Sequence, residues 1–106
     1  MKEFRIIYKI LQFLNRNAGN EDADMKMISA DVLGVSESKW EQLMIELQRN
    51  GYIDGVVYSQ TMDEKFPHIA HPITPRITLK GMQFLEENSM MRKAAGIAGG
   101  LIDMVK

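Results

Sequence analysis

The residues with the clearest potential for metal or acid–base chemistry are His68 and His71, the two histidines of the chain. Asp63 and Glu64 precede them, and imidazole and carboxylate groups are both zinc ligands. However, the sequence provides no third ligand in a fixed register, no nucleophile in a known motif with either histidine, and no glycine loop that could cradle a phosphate. We therefore expect no enzyme, no metal and no cofactor, and we interpret the histidines as polar loop residues that can contact phosphate when protonated.

A second group of side chains suits the recognition of DNA, because hydroxyl, amide and guanidinium groups are those that contact base edges in a major groove. Ser38, Gln42 and Arg49 carry these groups on the outward side of a predicted helix over about residues 36–50. The flanks of that side are expected to hold Lys39 and Glu46 on one edge and Glu41 and Ile45 on the other. Ile45 could contact a thymine methyl or a partner protein, whereas the glutamates would repel phosphate. An ordinary amphipathic helix with a solvated polar side is the alternative interpretation.

The element that must position these side chains is a helix-turn-helix over residues 24–53. In its turn, Ala30 permits a close approach of the helices and Gly34 accepts the left-handed conformation that ends the first helix. Ser36 can cap the second helix through its hydroxyl. The second helix carries apolar residues at i, i+3, i+4 and i+7, which predict one buried stripe. The stripe consists of Trp40, Leu43, Met44 and Leu47.

Two helices are predicted before the Trp40 helix, and one of them is the first helix of the helix-turn-helix. One is predicted over about residues 25–33 with Asp24 as its cap, and a short strand over residues 25–28 is the alternative for its start. The other, over residues 3–16, is apolar around more than half of its circumference, which predicts packing on two sides. Its remaining side is a basic ridge, either a solvated edge or a surface that meets phosphate. The ridge consists of Lys2, Arg5, Lys9, Gln12 and Arg16.

Two strands are predicted after the helix-turn-helix. Residues 53–58 are rich in β-branched and aromatic side chains, and residues 73–77 can return antiparallel to them. A polar loop over residues 59–72 separates the strands, and Thr78 caps a fourth helix that ends near Asn88. Helix, turn, helix, strand, loop and strand is the order of a winged helix, in which the loop is the wing. The expected fold class is α+β and mainly α, a winged helix-turn-helix with a two-stranded wing and an extra C-terminal helix.

The chain is expected to consist of a winged-helix domain, residues 1–88, and a C-terminal helix, residues 89–106. Residues 96–100 of that helix form a small-residue surface of the kind that lets helices approach closely. Because each glycine weakens an exposed helix, we expect the segment to dock on the first helix or on a second subunit. A homodimer built from the first and last helices is the preferred arrangement.

Composition limits the remaining classes of function. A chain of 106 residues suits one domain, and the absence of cysteine excludes disulfides and thiolate metal sites, as in a reducing cytoplasm. We find no signal peptide and no apolar run of about 20 residues, so we expect a cytoplasmic protein with no membrane partner. Residues 17–64, which include the helix-turn-helix, contain ten acidic residues against three basic ones, which opposes strong phosphate binding.

Two segments carry a resemblance to a known family, namely ISADVLGVSESKWEQLMIELQRNGYI at residues 28–53 and ITLKGMQFLEENSMMRKA at residues 77–94. They resemble the YjcQ-like family of small winged-helix proteins from Gram-positive bacteria and their prophages. With the first helix, the similarity covers nearly the whole chain. The resemblance implies a winged-helix fold and a DNA-binding or regulatory role, and it carries no catalytic residues to this sequence.

We therefore expect a small transcription regulator of prophage type that binds double-stranded DNA, with a protein-interaction module on the same scaffold as the alternative. The helix residues would contact bases, and the wing residues would lie along the phosphates. The candidate DNA-binding residues are Ser36, Ser38, Lys39, Gln42, Arg49, Lys65, His68, His71 and Arg76.

Overall fold

The computed structural model describes residues 2–63, 65–70 and 73–89, which form an α+β fold that is mainly helical. Its helices are α1 (Lys2–Arg16), a 3-10 helix (Met25–Ile28), α2 (Ala30–Leu33), α3 (Glu37–Arg49) and α4 (Leu79–Glu87). Its strands are β1 (Ile53–Asp54), β2 (Tyr58–Ser59), β3 (His68–Ile69) and β4 (Arg76–Ile77). β1 pairs with β4 and β2 pairs with β3, both antiparallel. Within these ranges, no helix has the length and apolar character to cross a membrane.

α1 is buried on most of its circumference, as predicted from the apolar residues around more than half of it. Its buried residues are Ile6, Tyr8, Ile10, Leu11 and Leu14. α4, β4 and the 3-10 helix pack against it, and the ring centroids of Phe4 and Phe84 lie 5.3 Å apart. The apolar surface of α1 is therefore largely covered within its own chain, and its exposed side carries Arg5, Lys9 and Arg16.

The turn between α2 and α3 has the geometry that its residues predict. Gly34 ends α2 in the left-handed conformation with a φ of 75°. Ser36 caps α3 by accepting a hydrogen bond from the Lys39 N–H at 3.1 Å, and Asp24 caps the 3-10 helix in the same way. Of the predicted apolar stripe, Trp40, Met44 and Leu47 are buried and Leu43 is half-buried.

The single helix expected over residues 25–33 is wrong, and so is the alternative of a strand at its start. The 3-10 helix ends at Ile28, and Ser29 then caps α2 with its hydroxyl, which accepts from the Val32 N–H at 3.3 Å. The indole N–H of Trp40 donates to the Ile28 carbonyl at 2.7 Å inside the core. The helix is interrupted because this carbonyl bonds to α3 and the next residue begins a new helix.

The strand expected over residues 53–58 is divided by Gly55. Its φ is +90°, and a Cβ at this position would overlap the Thr74 carbonyl oxygen, so the close approach of the two segments requires glycine. The loop expected over residues 59–72 is wrong in its second part, because β3 lies there and buries an isoleucine. The strand expected over residues 73–77 is shorter than predicted and is confined to β4.

α4 begins at its predicted cap, where the Thr78 hydroxyl accepts from the Gly81 N–H at 3.1 Å. Leu85 is buried and Phe84 is half-buried, whereas Leu79 is 82% exposed. The apolar side of α4 is therefore narrower than its sequence indicates. Of the predicted C-terminal helix, residues 89–106, only residue 89 is described, so the part of the expected dimer interface that this helix would form lies outside the described part of the chain.

Candidate nucleic-acid interface on α3

α3 buries a wider side than its sequence predicts. Glu41 is 8% exposed and Ile45 is 1% exposed, so the interpretation of both as outward-facing residues is wrong. The strands β2 and β3 with the described residues between them, 58–63 and 65–69, are called the hairpin below. It lies against this flank of α3 through β3, and the Ile69 side chain joins the same core. The outward side of α3 is correspondingly narrower.

Two α3 side chains attach the hairpin region to the helix. Glu41 Oε2 accepts from the Ile69 N–H at 3.1 Å, and Glu41 Oε1 lies 3.2 Å from His68 Nδ1. Gln48 Oε1 accepts from the Val56 N–H at 2.7 Å, and Gln48 Nε2 donates to the Val56 carbonyl at 2.8 Å. Neither role was apparent from the sequence. One signal in the sequence could have indicated these roles. Glu41 and Gln48 are polar and lie seven positions apart, so both fall on the same side of the helix, next to its apolar stripe.

The side of α3 that remains accessible is polar, and we call it the open face. It consists of Ser38, Lys39, Gln42, Glu46 and Arg49. Gln42 is half-buried and the other four residues are exposed. The hydroxyl, amide and guanidinium groups predicted to contact bases therefore share one side of a helix that the described residues do not cover.

Both cations of the open face have carboxylate partners. Lys39 Nζ lies 3.2 Å from Glu3 Oε2 of α1, and Arg49 Nη1 lies 3.1 Å from Glu46 Oε2. The Arg49 guanidinium also lies over the Tyr58 ring, with 5.9 Å from Cζ to the ring centroid. Hydrogen bonding with Tyr58 contributes most to a raised pKa of Arg49, and Glu46 adds to it. Because both ion pairs are exposed, a phosphate can compete with them.

The next group of candidate DNA-binding residues does not belong to the open face of α3. The Ser36 hydroxyl is occupied as the cap of α3. Lys65 is exposed in the loop of the hairpin, and His68 lies against a buried carboxylate of α3. His71 lies outside the described residues. The structure therefore brings Lys65 and His68 onto the hairpin beside α3 and does not bring them onto the open face itself.

Arg76 lies in β4 and is part of neither the open face nor the hairpin. Its Nε is 3.1 Å from Asp54 Oδ1, and it lines a cleft of about 600 Å³ with residues of α1 and α4. A second cleft of about 250 Å³ shares Met25 and Pro75 with the first and includes Trp40 from the buried side of α3. Both clefts are thus separate from the open face.

Of the four side chains considered for a metal site, only Asp63 and His68 lie in the described ranges. No cluster of three or more His, Cys, Asp or Glu side chains suited to a metal ion occurs in residues 2–63, 65–70 and 73–89. Glu64 and His71 fall outside those ranges. In the described part, His68 instead contacts Glu41, at 3.2 Å.

The fold and the site define a mainly helical α+β domain in which an attached hairpin flanks one polar side of a helix. The chain belongs to the YjcQ family, because a model of that family, described as YjcQ protein, matches residues 8–103. It is also similar to a Bacillus subtilis (strain 168) protein with the name Uncharacterized protein YjcQ. The two are 34% identical over 79 residues, which are 74% of this chain and 79% of the other. No solved structure matches the chain.

Proposed function

We propose that this chain is a winged-helix protein that binds double-stranded DNA. In this proposal the open face of α3 enters a major groove, and the hairpin is the wing beside it. The observation that carries the proposal is that Ser38 and Arg49 are exposed, and Gln42 between them is half-buried, along one side of α3 while the domain packs behind it. Their positions span roughly 16 Å of helix axis, a length that suits several base-pair steps of a groove.

The burial of Glu41 makes the open face more compatible with DNA than its sequence indicates. Glu41 bonds to the hairpin instead of facing outward, and Glu46 is paired with Arg49. Lys39 and Arg49 remain as the two cations of the open face, each beside one exposed carboxylate, Glu3 of α1 and Glu46 respectively. Because only a few phosphates can be neutralised, we expect weak non-specific binding with a shallow dependence on salt. Recognition would then rely on base contacts.

We further propose that this binding serves transcription regulation of the kind that prophage proteins perform. The resemblance of residues 28–53 and 77–94 to small winged-helix proteins of bacteria and prophages supports this role. Lys65 is an exposed cation of the hairpin and lies between β2 and β3 in the sequence. In this proposal it contacts a phosphate and so helps to orient the protein.

Selection of duplexes from a random pool, followed by fluorescence anisotropy with selected and random duplexes, tests the proposal. We expect tighter binding of the selected duplexes and an affinity that decreases as salt rises. Arg49→Ala should reduce the preference for the selected duplex by about tenfold or more, because a base contact is lost. Arg76→Ala is the matched control, since it removes another exposed arginine that is paired at 3.1 Å but belongs to β4 and not to the open face. Absence of binding at low salt, or equal losses in both variants, would refute the proposal.

A protein-interaction module is the second candidate. Both cations of the open face are already paired, and the region around the hairpin exposes apolar side chains. Val57 is 65% exposed, Phe66 is 48% exposed and Met62 is fully exposed. Exposed apolar side chains within one short stretch of the chain favour a surface that binds a partner protein. A folded chain that binds no duplex at any salt concentration would favour this candidate.

A further inference from the structure

We infer that Glu41 and Gln48 are positioning residues, which hold the hairpin against α3 so that Tyr58 places the Arg49 guanidinium on the open face. The consequence for DNA recognition rests on the proposed function. The attachment of the hairpin and the placement of Arg49 concern the domain alone, and they can be measured without DNA.

One arm of the hairpin, and the segment that leads into its other arm, are bonded to α3 by different side chains. Gln48 bonds to the backbone of Val56, just before β2, and Glu41 bonds to the Ile69 N–H in β3. The two attachment points lie about two helical turns apart and therefore on the same side of α3. Ile45 lies between them in the sequence and is 1% exposed, as expected if the hairpin closes over this side.

The hairpin needs these attachments because its own pairing is short. β2 and β3 contain two residues each, and an isolated two-stranded hairpin is at best marginally stable in water. The Glu41 carboxylate is a charged acceptor, which forms a stronger hydrogen bond than a neutral one. Its removal leaves the buried N–H of Ile69 without this acceptor, which favours release of β3 from α3.

The hairpin in turn determines where Arg49 lies. Tyr58 is opposite Ile69 in the β2–β3 register, and its ring centroid is 5.9 Å from Arg49 Cζ. A displacement of β3 therefore moves Tyr58 and removes the ring against which Arg49 rests. Arg49 would keep its charge, so contact with phosphates would persist, whereas its alignment with a base edge would be lost. Loss of Glu41 should thus reduce specificity and leave the overall affinity for DNA nearly unchanged.

Amide hydrogen exchange and proton NMR of the full chain test the inference without DNA. In Glu41→Ala, exchange at the Ile69 N–H should increase by about tenfold or more, while the amides of α1 remain unchanged. The Arg49 side-chain proton shifts, which the Tyr58 ring perturbs, should move toward their values in Tyr58→Leu. Glu41→Gln retains an oxygen acceptor and should restore much of the protection. Glu86→Ala removes an exposed glutamate of α4 and is the charge-matched control.

With DNA, Glu41→Ala should lower the ratio of affinities for selected and random duplexes by about tenfold, with the random affinity within about twofold of wild type. Unchanged exchange at Ile69 in the folded variant would overturn the attachment. Increased exchange with unchanged Arg49 shifts would overturn the positioning of Arg49. A wild-type chain that binds no duplex would refute the proposed function, and the exchange and shift data would still decide the inference. If Glu41→Ala does not fold, Gln48→Ala allows the same measurements at the Val56 amide.

Discussion

Gln48 and Val56 exchange two hydrogen bonds, with Gln48 Oε1 2.7 Å from the Val56 nitrogen and Gln48 Nε2 2.8 Å from the Val56 carbonyl oxygen. The side-chain amide makes the two contacts that a neighbouring strand would make in a ladder. Gly55 explains the position, because its positive φ ends β1 and turns the next residue away from β4. The Gln48 side chain of α3 thus provides hydrogen-bond partners for the Val56 backbone, which the β1–β4 pairing does not reach.

Gln48→Ala should lower the free energy of unfolding by about 1–3 kcal/mol, because the Val56 N–H and carbonyl lose their partners at a partly buried position. Gln83→Ala is the matched control. Gln83 is exposed on α4 and donates to the Glu87 carboxylate at 3.2 Å, so its loss should change stability by less than about 0.5 kcal/mol. Urea denaturation followed by Trp40 fluorescence measures both values. Similar changes in the two variants would contradict a structural role for the Gln48 amide.

Two glycines with similar φ angles should respond differently to alanine. Gly34 has a φ of 75° and no atom within 4 Å of an added Cβ, so Gly34→Ala should cost about 1–2 kcal/mol for the left-handed backbone alone. Gly55 has a φ of 90°, and an added Cβ would overlap the Thr74 carbonyl oxygen, so Gly55→Ala should cost about 1–3 kcal/mol more. Urea denaturation gives the free energy of unfolding of each variant, and the difference between the two losses is the cost of the overlap with Thr74. Equal costs would show that the Thr74 segment moves aside freely.

The helices could be predicted because their signals are local. Ser36 and Thr78 act as caps as predicted, since a cap depends on the residue itself and on the chain that follows it. The errors arise where a distant group decides the structure. Trp40 bonds to the Ile28 carbonyl and interrupts the expected helix, and β3 forms where Ile69 enters the core. Periodicity within one segment contains no information about such partners.

In α3 as well, local signals predicted some positions correctly, and a distant segment determined the others. Helical periodicity correctly placed Ser38 and Arg49 on an exposed side, but it also placed Glu41 and Ile45 there. The latter two lie at the edge between the polar and apolar sides, where burial depends on whether another segment folds over the helix. The hairpin does so, and the Ile69 N–H provides the donor that makes a buried glutamate stable.

Trp40→Phe should destabilise the domain by about 1–3 kcal/mol, because phenylalanine cannot donate to the buried carbonyl of Ile28. The Trp40 Nε1–H reaches that oxygen at 2.7 Å. Because Trp40 is the single tryptophan, circular dichroism should follow the urea denaturation of this variant. Hydrogen exchange in the 3-10 helix should also increase, since the bond joins this helix to α3. A loss of stability below about 0.5 kcal/mol would show that the neighbouring residues compensate for the missing donor.

Ser36 and Ser38 should show opposite effects on stability and on DNA preference. The Ser36 hydroxyl caps α3 at 3.1 Å from the Lys39 nitrogen, so Ser36→Ala should cost about 1 kcal/mol of stability. Ser38 is exposed on the open face, so Ser38→Ala should change stability by less than about 0.5 kcal/mol and reduce the preference for a selected duplex severalfold. Urea denaturation and anisotropy on both variants make each serine the control for the other. If Ser36→Ala altered the duplex preference while Ser38→Ala did not, the turn that precedes α3, rather than the open face, would be the contact with DNA.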